Sequence, residues 1–342
     1  MLPDFDALLS APEYSFLHTH PRLGNRIILL ALSGSYGYGT YREGSDIDLR
    51  GITLPLPSDL LGLSTFEQYV DQGTDTVLFA FRKFVDLLME CNPNCCEILG
   101  LPRDRYLILS PLGEELLRNQ HLFLSKRCIP SFGGYAAQQL RRLQNAVARD
   151  ALSQSKREEH IRNSVERSLE DFRSRNERVQ SGSMRLYIDR AVTEGLETEI
   201  FVDTDYTHLP LRDFSAMLET MHHVVRDYDK IGHRNHKKDE NHLCKHAMHL
   251  LRLLMTATDI LEKEEIITCR TEDLPTLLAV RNGEYLRTDG TFSPEFYALI
   301  DAWETRFHEA ARQTKLPDAP DKEKIGQFVE RVHRKAIEEE YA

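Results

Sequence analysis

Residues 25–33 run NRIILLALS, a short apolar stretch bounded by glycines, and this pattern predicts a strand buried on both faces. The stretch delivers the chain into Gly34-Ser35-Tyr36-Gly37-Tyr38-Gly39-Thr40, where three glycines in six residues let the backbone take positive φ and approach a ligand closely. Residues 45–54, SDIDLRGITL, alternate polar and apolar positions and read as a second strand. Pro55, Pro57 and Gly62 break that pattern; residues 75–81 are β-prone, and residues 82–90 are helix-like until Asn92-Pro93-Asn94 ends them, with a second helical piece at 95–99. Beyond about residue 130 the character changes, because residues 135–171, 211–230 and 241–263 carry apolar positions at helical spacing. Between them, residues 184–206 hold two strand-like pieces, RLYI and EIFV, whose partners the pattern does not supply.

A chain of 342 residues exceeds one typical domain of about 150, so two domains are expected, or one core with a large extension. The formal net charge of −11 disfavours a protein whose whole surface grips duplex DNA through phosphate contacts. The Arg- and Lys-bearing stretch 141–178 is a candidate basic groove, but it also holds many acids and reads more simply as a solvated helix face. No apolar run approaches the roughly 18–20 residues of a membrane span, and the first residues are acidic where a secretory signal is basic, so a cytoplasmic, soluble protein is expected. Six cysteines, Cys91, Cys95, Cys96, Cys128, Cys244 and Cys269, are too scattered for a disulfide framework, and the clustered three lack a second pair at zinc-ribbon spacing. His233 and His236 stand three apart with no matched carboxylate nearby, a poor zinc site.

The chemistry centres on Asp46 and Asp48. On a strand, residues i and i+2 point to one face with Cα atoms about 6.5–7 Å apart, close enough for two carboxylates to share a pair of divalent ions. A lone D-x-D is weak. Gly34 and Ser35, about ten residues upstream at the end of the buried strand, sharpen it, because free backbone N–H groups and a small hydroxyl at a tight turn can hold the outer phosphates of a nucleoside triphosphate.

Gly34-Ser35-Tyr36-Gly37-Tyr38-Gly39 followed by Ser45-Asp46-Ile47-Asp48-Leu49-Arg50-Gly51 resembles the signature of the DNA polymerase beta nucleotidyltransferase superfamily. More narrowly, it is similar to predicted bacterial and phage nucleotidyltransferases of the RNA-repair-pathway polymerase beta type. Gly37 stands where alanine is the commoner residue. The resemblance extends through Arg82-Lys83-Phe84, Asn92-Pro93-Asn94 with Glu97-Ile98-Leu99, Phe132-Gly133-Gly134-Tyr135 and the segment from Lys245 to Leu253, motifs that mark the narrower family without explaining their chemistry.

The resemblance implies an α/β (α+β) nucleotidyltransferase core with a small mixed sheet over residues 1–130. A mainly helical lobe would occupy residues 131–342, with the active site in the cleft between them. It implies transfer of a nucleoside monophosphate from a nucleoside triphosphate to an acceptor hydroxyl, with Mg2+ held by Asp46, Asp48 and a third carboxylate. Mn2+ can substitute because the ligands are hard oxygens. Asp75 is the choice for that third carboxylate and Asp71 the fallback; Asp86, on the expected helix, is less apt. Arg50 either meets the triphosphate or pairs with a carboxylate in the sheet. Lys245 is a candidate phosphate contact, and His246, His249 and Arg252 on the same helix share a common face, lining either the cleft or the core. Tyr36 and Tyr38 either stack on a base or pack on the sheet, and residues 281–284 mark a turn. RNA, such as a tRNA or a broken 3′ end, is the first choice of acceptor, a protein the second and a small molecule the third; a non-catalytic nucleotide-binding regulator is the alternative from another class.

Overall fold

The computed structural model describes residues 3–151, 158–159, 161–166, 169–170, 184–192, 198–232 and 240–341. The first apolar run forms strand β1 (Ile27–Leu32), buried at every position. It is flanked on one side by β2 (Leu49–Thr53) and on the other by β5 (Tyr106–Leu109), both antiparallel to it. Beyond β2 lies β4 (Thr76–Ala80), parallel to β2, and then β3 (Gln68–Asp71), antiparallel to β4. The result is a five-stranded mixed sheet in the order β3-β4-β2-β1-β5, as expected for the core.

The second strand is shorter than the alternation of residues 45–54 implies. It begins at Leu49, because β1 ends one residue before Ser33 and the chain then turns into the Gly34–Tyr38 helix. The Ser33 N–H still donates to the Asp48 carbonyl at 2.8 Å, but the ladder ends there. Residues 45–48 lie ahead of the strand and outside its ladder.

Helices follow where the apolar spacing places them. Phe81–Met89 buries Phe81, Phe84, Val85 and Leu88 on one face. Pro93–Leu99 starts at the motif expected to end its predecessor: the Asn92 side chain caps it by accepting from the Asn94 N–H at 3.0 Å, and proline at the first position gives up only an N–H that the helix does not use. The Glu240–Lys263 helix differs in kind. From Ala247 to Leu261 it is buried on nearly all sides, including Arg252, Thr256, Thr258 and Asp259. Helices apolar all round belong in an interior, and charges are tolerated there only with partners. Arg252 has Glu97, and Asp259 has Arg270 at 2.5 Å and Lys263 at 2.8 Å.

Burial of that helix changes how the chain divides. One compact unit comprises Met1–Leu140, Cys244–Tyr285 and Phe292–Ala342, and the other Arg141–Leu243 with Leu286–Thr291. The boundary is therefore not a single cut at residue 130: the chain leaves the sheet-bearing unit after residue 140 and returns at Cys244. In the second unit the RLYI and EIFV pieces find each other as β6 (Met184–Arg190) and β7 (Thr198–Thr204), antiparallel with Ile188 opposite Ile200. Val165, Leu169, Leu186 and Met217 form its buried cluster.

All six cysteines are free thiols, five of them buried. Among the described residues no helix is long and apolar enough to cross a membrane. His233 and His236 lie outside the described residues, as does most of the stretch 152–183.

Leu30 is fully buried in the middle of β1. Leu30→Ala should destabilise the sheet-bearing unit by about 2–5 kcal/mol, read as a lower denaturant midpoint at unchanged slope.

Candidate active site

At the end of β1 the backbone has to reverse over the sheet within a few residues. Gly34 does this at φ +54°, opening the five-residue Gly34–Tyr38 helix, and Gly39 closes that helix in the left-handed region at φ +77°. Gly34 is required for a second reason. A Cβ on it would sit 1.7 Å from Oδ2 of Asp48, so the Asp48 carboxylate rests directly against the glycine backbone. The glycine bend and this carboxylate thus lie on the same side of the sheet, as the motif spacing implied.

Parallel pairing of β2 with β4 brings in the second carboxylate. Leu49 faces Thr76 across the ladder, so the residues just ahead of them, Asp48 and Asp75, fall side by side, and their carboxyl groups share a hydrogen bond. Asp75 sits at φ +45°, in the left-handed region that aspartate tolerates better than most residues. Arg50 holds it there, donating to both the Asp75 carbonyl and, at 3.0 Å, its Oδ1. Arg50 therefore takes the in-sheet carboxylate pairing. Lys245 is exposed at the start of the buried helix, near enough to both carboxylates to favour their charged forms.

Burial pushes the Asp48 carboxyl up to about 6, and the adjoining Asp75 pushes the same way against Arg50 and Lys245. Asp75 moves down, held first by the hydrogen bond from Asp48 and then by Arg50. The pair keeps one proton between its two acids into weakly acidic solution, as closely placed carboxylates do.

Asp46 is exposed and lines, beside Asp75, a cavity of about 670 Å3 with Glu13, Tyr14 and Asp71 among others. Among the described residues no three His, Cys, Asp or Glu side chains gather at metal-ligand spacing. Asp46 lies ahead of the strand, which begins at Leu49. Asp71 is engaged in its own turn, accepting from the Thr74 N–H at 2.8 Å and the Thr74 hydroxyl at 2.9 Å. Asp86 is exposed on the Phe81–Met89 helix.

Arg252 is fully buried, and Tyr38 and His249 are half-buried beside it. The Tyr38 hydroxyl donates to Glu97 Oε2 at 2.9 Å, and Arg252, fully buried, pairs with the other Glu97 oxygen. His249 Nδ1 is 2.8 Å from Arg252, and burial drives its pKa well below the usual imidazole value. His246 Nδ1 lies 3.1 Å from Gln139. Tyr36 stacks on Tyr41 with centroids 4.6 Å apart. Arg281 ends a helix, and Arg42 donates to its carbonyl and to the Asn282 side chain. Glu97 stands in a motif of the resemblance, but the motif gives it no role of its own. Its signal was an acid inside the apolar run Cys95-Cys96-Glu97-Ile98-Leu99, which only a buried partner explains.

Two outcomes follow. Gly34→Ala should displace Asp48 and lower metal-free stability by more than the usual 0.5–1 kcal/mol or so of a glycine change, measured by denaturant unfolding. A carboxyl whose folded pKa exceeds its unfolded value costs stability as pH rises between the two, here from about 4 towards about 6. In metal-free buffer Asp48→Asn should therefore raise the thermal midpoint relative to wild type at pH 7, with the gain shrinking towards pH 4; a constant difference across that range would contradict the assignment.

The sequence model described as the RNA repair pathway DNA polymerase beta family matches residues 13–161. No curated protein and no solved structure matches the chain. The matched stretch takes in the whole five-stranded sheet, the glycine bend, Asp46, Asp48, Arg50 and Asp75, while Lys245, His249 and Arg252 lie beyond it. Over residues 13–161, where the glycine bend packs on Asp48, the chain is similar to the RNA repair pathway DNA polymerase beta family, in agreement with the polymerase beta-like resemblance that its front motifs carry.

Proposed function

We propose that the chain is a metal-dependent nucleotidyltransferase that moves a nucleoside monophosphate from a nucleoside triphosphate to a hydroxyl of RNA, releasing pyrophosphate. The observation that carries this reading is the Asp48 carboxylate lodged between the Gly34 backbone and the Asp75 carboxyl. Support for an RNA acceptor comes from the description of the matching family.

The donor set suits Mg2+, with Mn2+ as a substitute. Magnesium is commonly held by one or two carboxylates together with substrate phosphates and water, and Asp48 and Asp75 supply two adjacent hard-oxygen ligands. Asp46, on the neighbouring cavity wall, would complete the set by turning inward from its exposed position. Bound there, the metal would neutralise charge on the reacting phosphate and on the departing oxygen.

The chain's own groups do the rest. Gly34 and Ser35 present the backbone turn where the outer phosphates would rest. Lys245 supplies positive charge beside the acids, and Arg50 keeps Asp75 in its left-handed conformation. The acidic cavity lining of Glu13, Asp46, Asp71 and Asp75 repels a bare triphosphate, so the nucleotide would enter as its cation complex.

Incubation with each α-labelled nucleoside triphosphate, magnesium and total RNA tests the reading. Label is expected on RNA. Label on a protein or a small molecule would reassign the acceptor, and nucleotide binding without transfer would make the chain a regulator. Asp46→Asn and Asp48→Asn should each lower transfer by about two orders of magnitude or more, as when a group stabilising transition-state charge is removed. Full activity in either variant would remove that residue from the site.

A further inference from the structure

Two motifs that the proposed reaction leaves unused meet in the interior of the sheet-bearing unit. Glu97, from the Pro93–Leu99 helix, is 4% exposed, and Arg252, from the Glu240–Lys263 helix, is 0% exposed. They form an ion pair across 155 residues of sequence. Thr268 donates its hydroxyl to the Glu97 carbonyl at 2.6 Å, fixing the backbone beneath the carboxylate. The Arg252 guanidinium lies 3.6 Å over the ring of Tyr38, whose hydroxyl donates to Glu97. A guanidinium only donates, so His249 Nδ1, 2.8 Å away, accepts, and the imidazole is neutral with its proton on Nε2.

This buried set has two connections to the proposed site. Tyr38 is the last residue of the helix that begins at Gly34, against which Asp48 rests. Lys245 stands two turns ahead of Arg252 on the same helix, on the face that also carries His249. Any tilt of the Gly34–Tyr38 helix pulls on the Tyr38 hydroxyl, and any slide of the long helix breaks the Arg252 fork.

We infer that Glu97 and Arg252 are positioning residues: through Tyr38 they hold the glycine bend at a fixed distance from the Lys245 helix, and so set nucleotide affinity without touching the nucleotide. The inference rests on the nucleotidyltransferase reading above. A purely structural ion pair would cost stability when altered and leave the affinity of the folded protein unchanged.

The test uses full-length wild type, Tyr38→Phe and Glu97→Gln. Tyr38→Phe removes one hydroxyl and keeps both the ring and the ion pair, so it reports even if Glu97→Gln fails to fold. Glu97→Gln, where folded, excludes direct contact, since Glu97 is buried. Hydrogen exchange of the amides of residues 34–40, without nucleotide, should quicken at least about tenfold in the variants. The Kd for the magnesium complex of whichever nucleoside triphosphate wild type uses should weaken at least about fivefold, measured well below the thermal midpoint of Tyr38→Phe so that the stability lost with the hydroxyl does not enter. Exchange or affinity within about twofold of wild type in Tyr38→Phe overturns the inference. If wild type binds and transfers none of the nucleotides, the proposed function falls, while exchange at 34–40 still decides whether the clamp exists.

Discussion

The contact between the Asp48 carboxylate and the backbone of Gly34 constrains everything around it. No side chain fits at residue 34, and the backbone there needs positive φ, so two independent requirements fall on one residue. Because the carboxylate lies in that notch, it is half-buried and crowded by Asp75, and its charge has to be balanced locally. Arg50 answers from the adjacent position of β2 and Lys245 from the other end of the chain.

The same logic of partnered charge governs the Glu240–Lys263 helix. A helix apolar on every side could pack at several rotations with little difference in buried area. Arg252 and Asp259, two turns apart and both buried, remove that freedom, because each has its partner in only one orientation. A wrong rotation would leave a buried charge without its counter-ion, at a cost of about 3–5 kcal/mol. Registry is thus set by ion pairs although most of the burial is hydrocarbon, and the back of the chain becomes part of the core that holds the glycine bend.

Much was legible in the chain itself. Strand β1 follows from an uninterrupted apolar run, and the glycine bend from its glycines. The proximity of that bend to an aspartate follows from the short connection between two strands. Asp75 could be chosen over Asp71 and Asp86 because it immediately precedes a β-prone segment, and parallel pairing of β2 with β4 then sets it beside Asp48. These are local inferences, and each depends on a span short enough for sterics and periodicity to dominate.

Tertiary structure decided the remainder. Period-two alternation continues through residues 45–48, yet a strand exists only where a neighbour offers a ladder, and β1 turns away at Gly34, so the strand begins at Leu49. Helical spacing placed His249 and Arg252 on one face with His246 but could not say how deep each would sit. Arg252 is buried because Glu97, 155 residues earlier, supplies the countercharge, and pairing at that separation leaves no periodic trace. The sequence by itself determined the local elements and the chemical types at the site. Which carboxylates converge, and which cations are committed to the interior, was settled only when distant segments competed for the same partners.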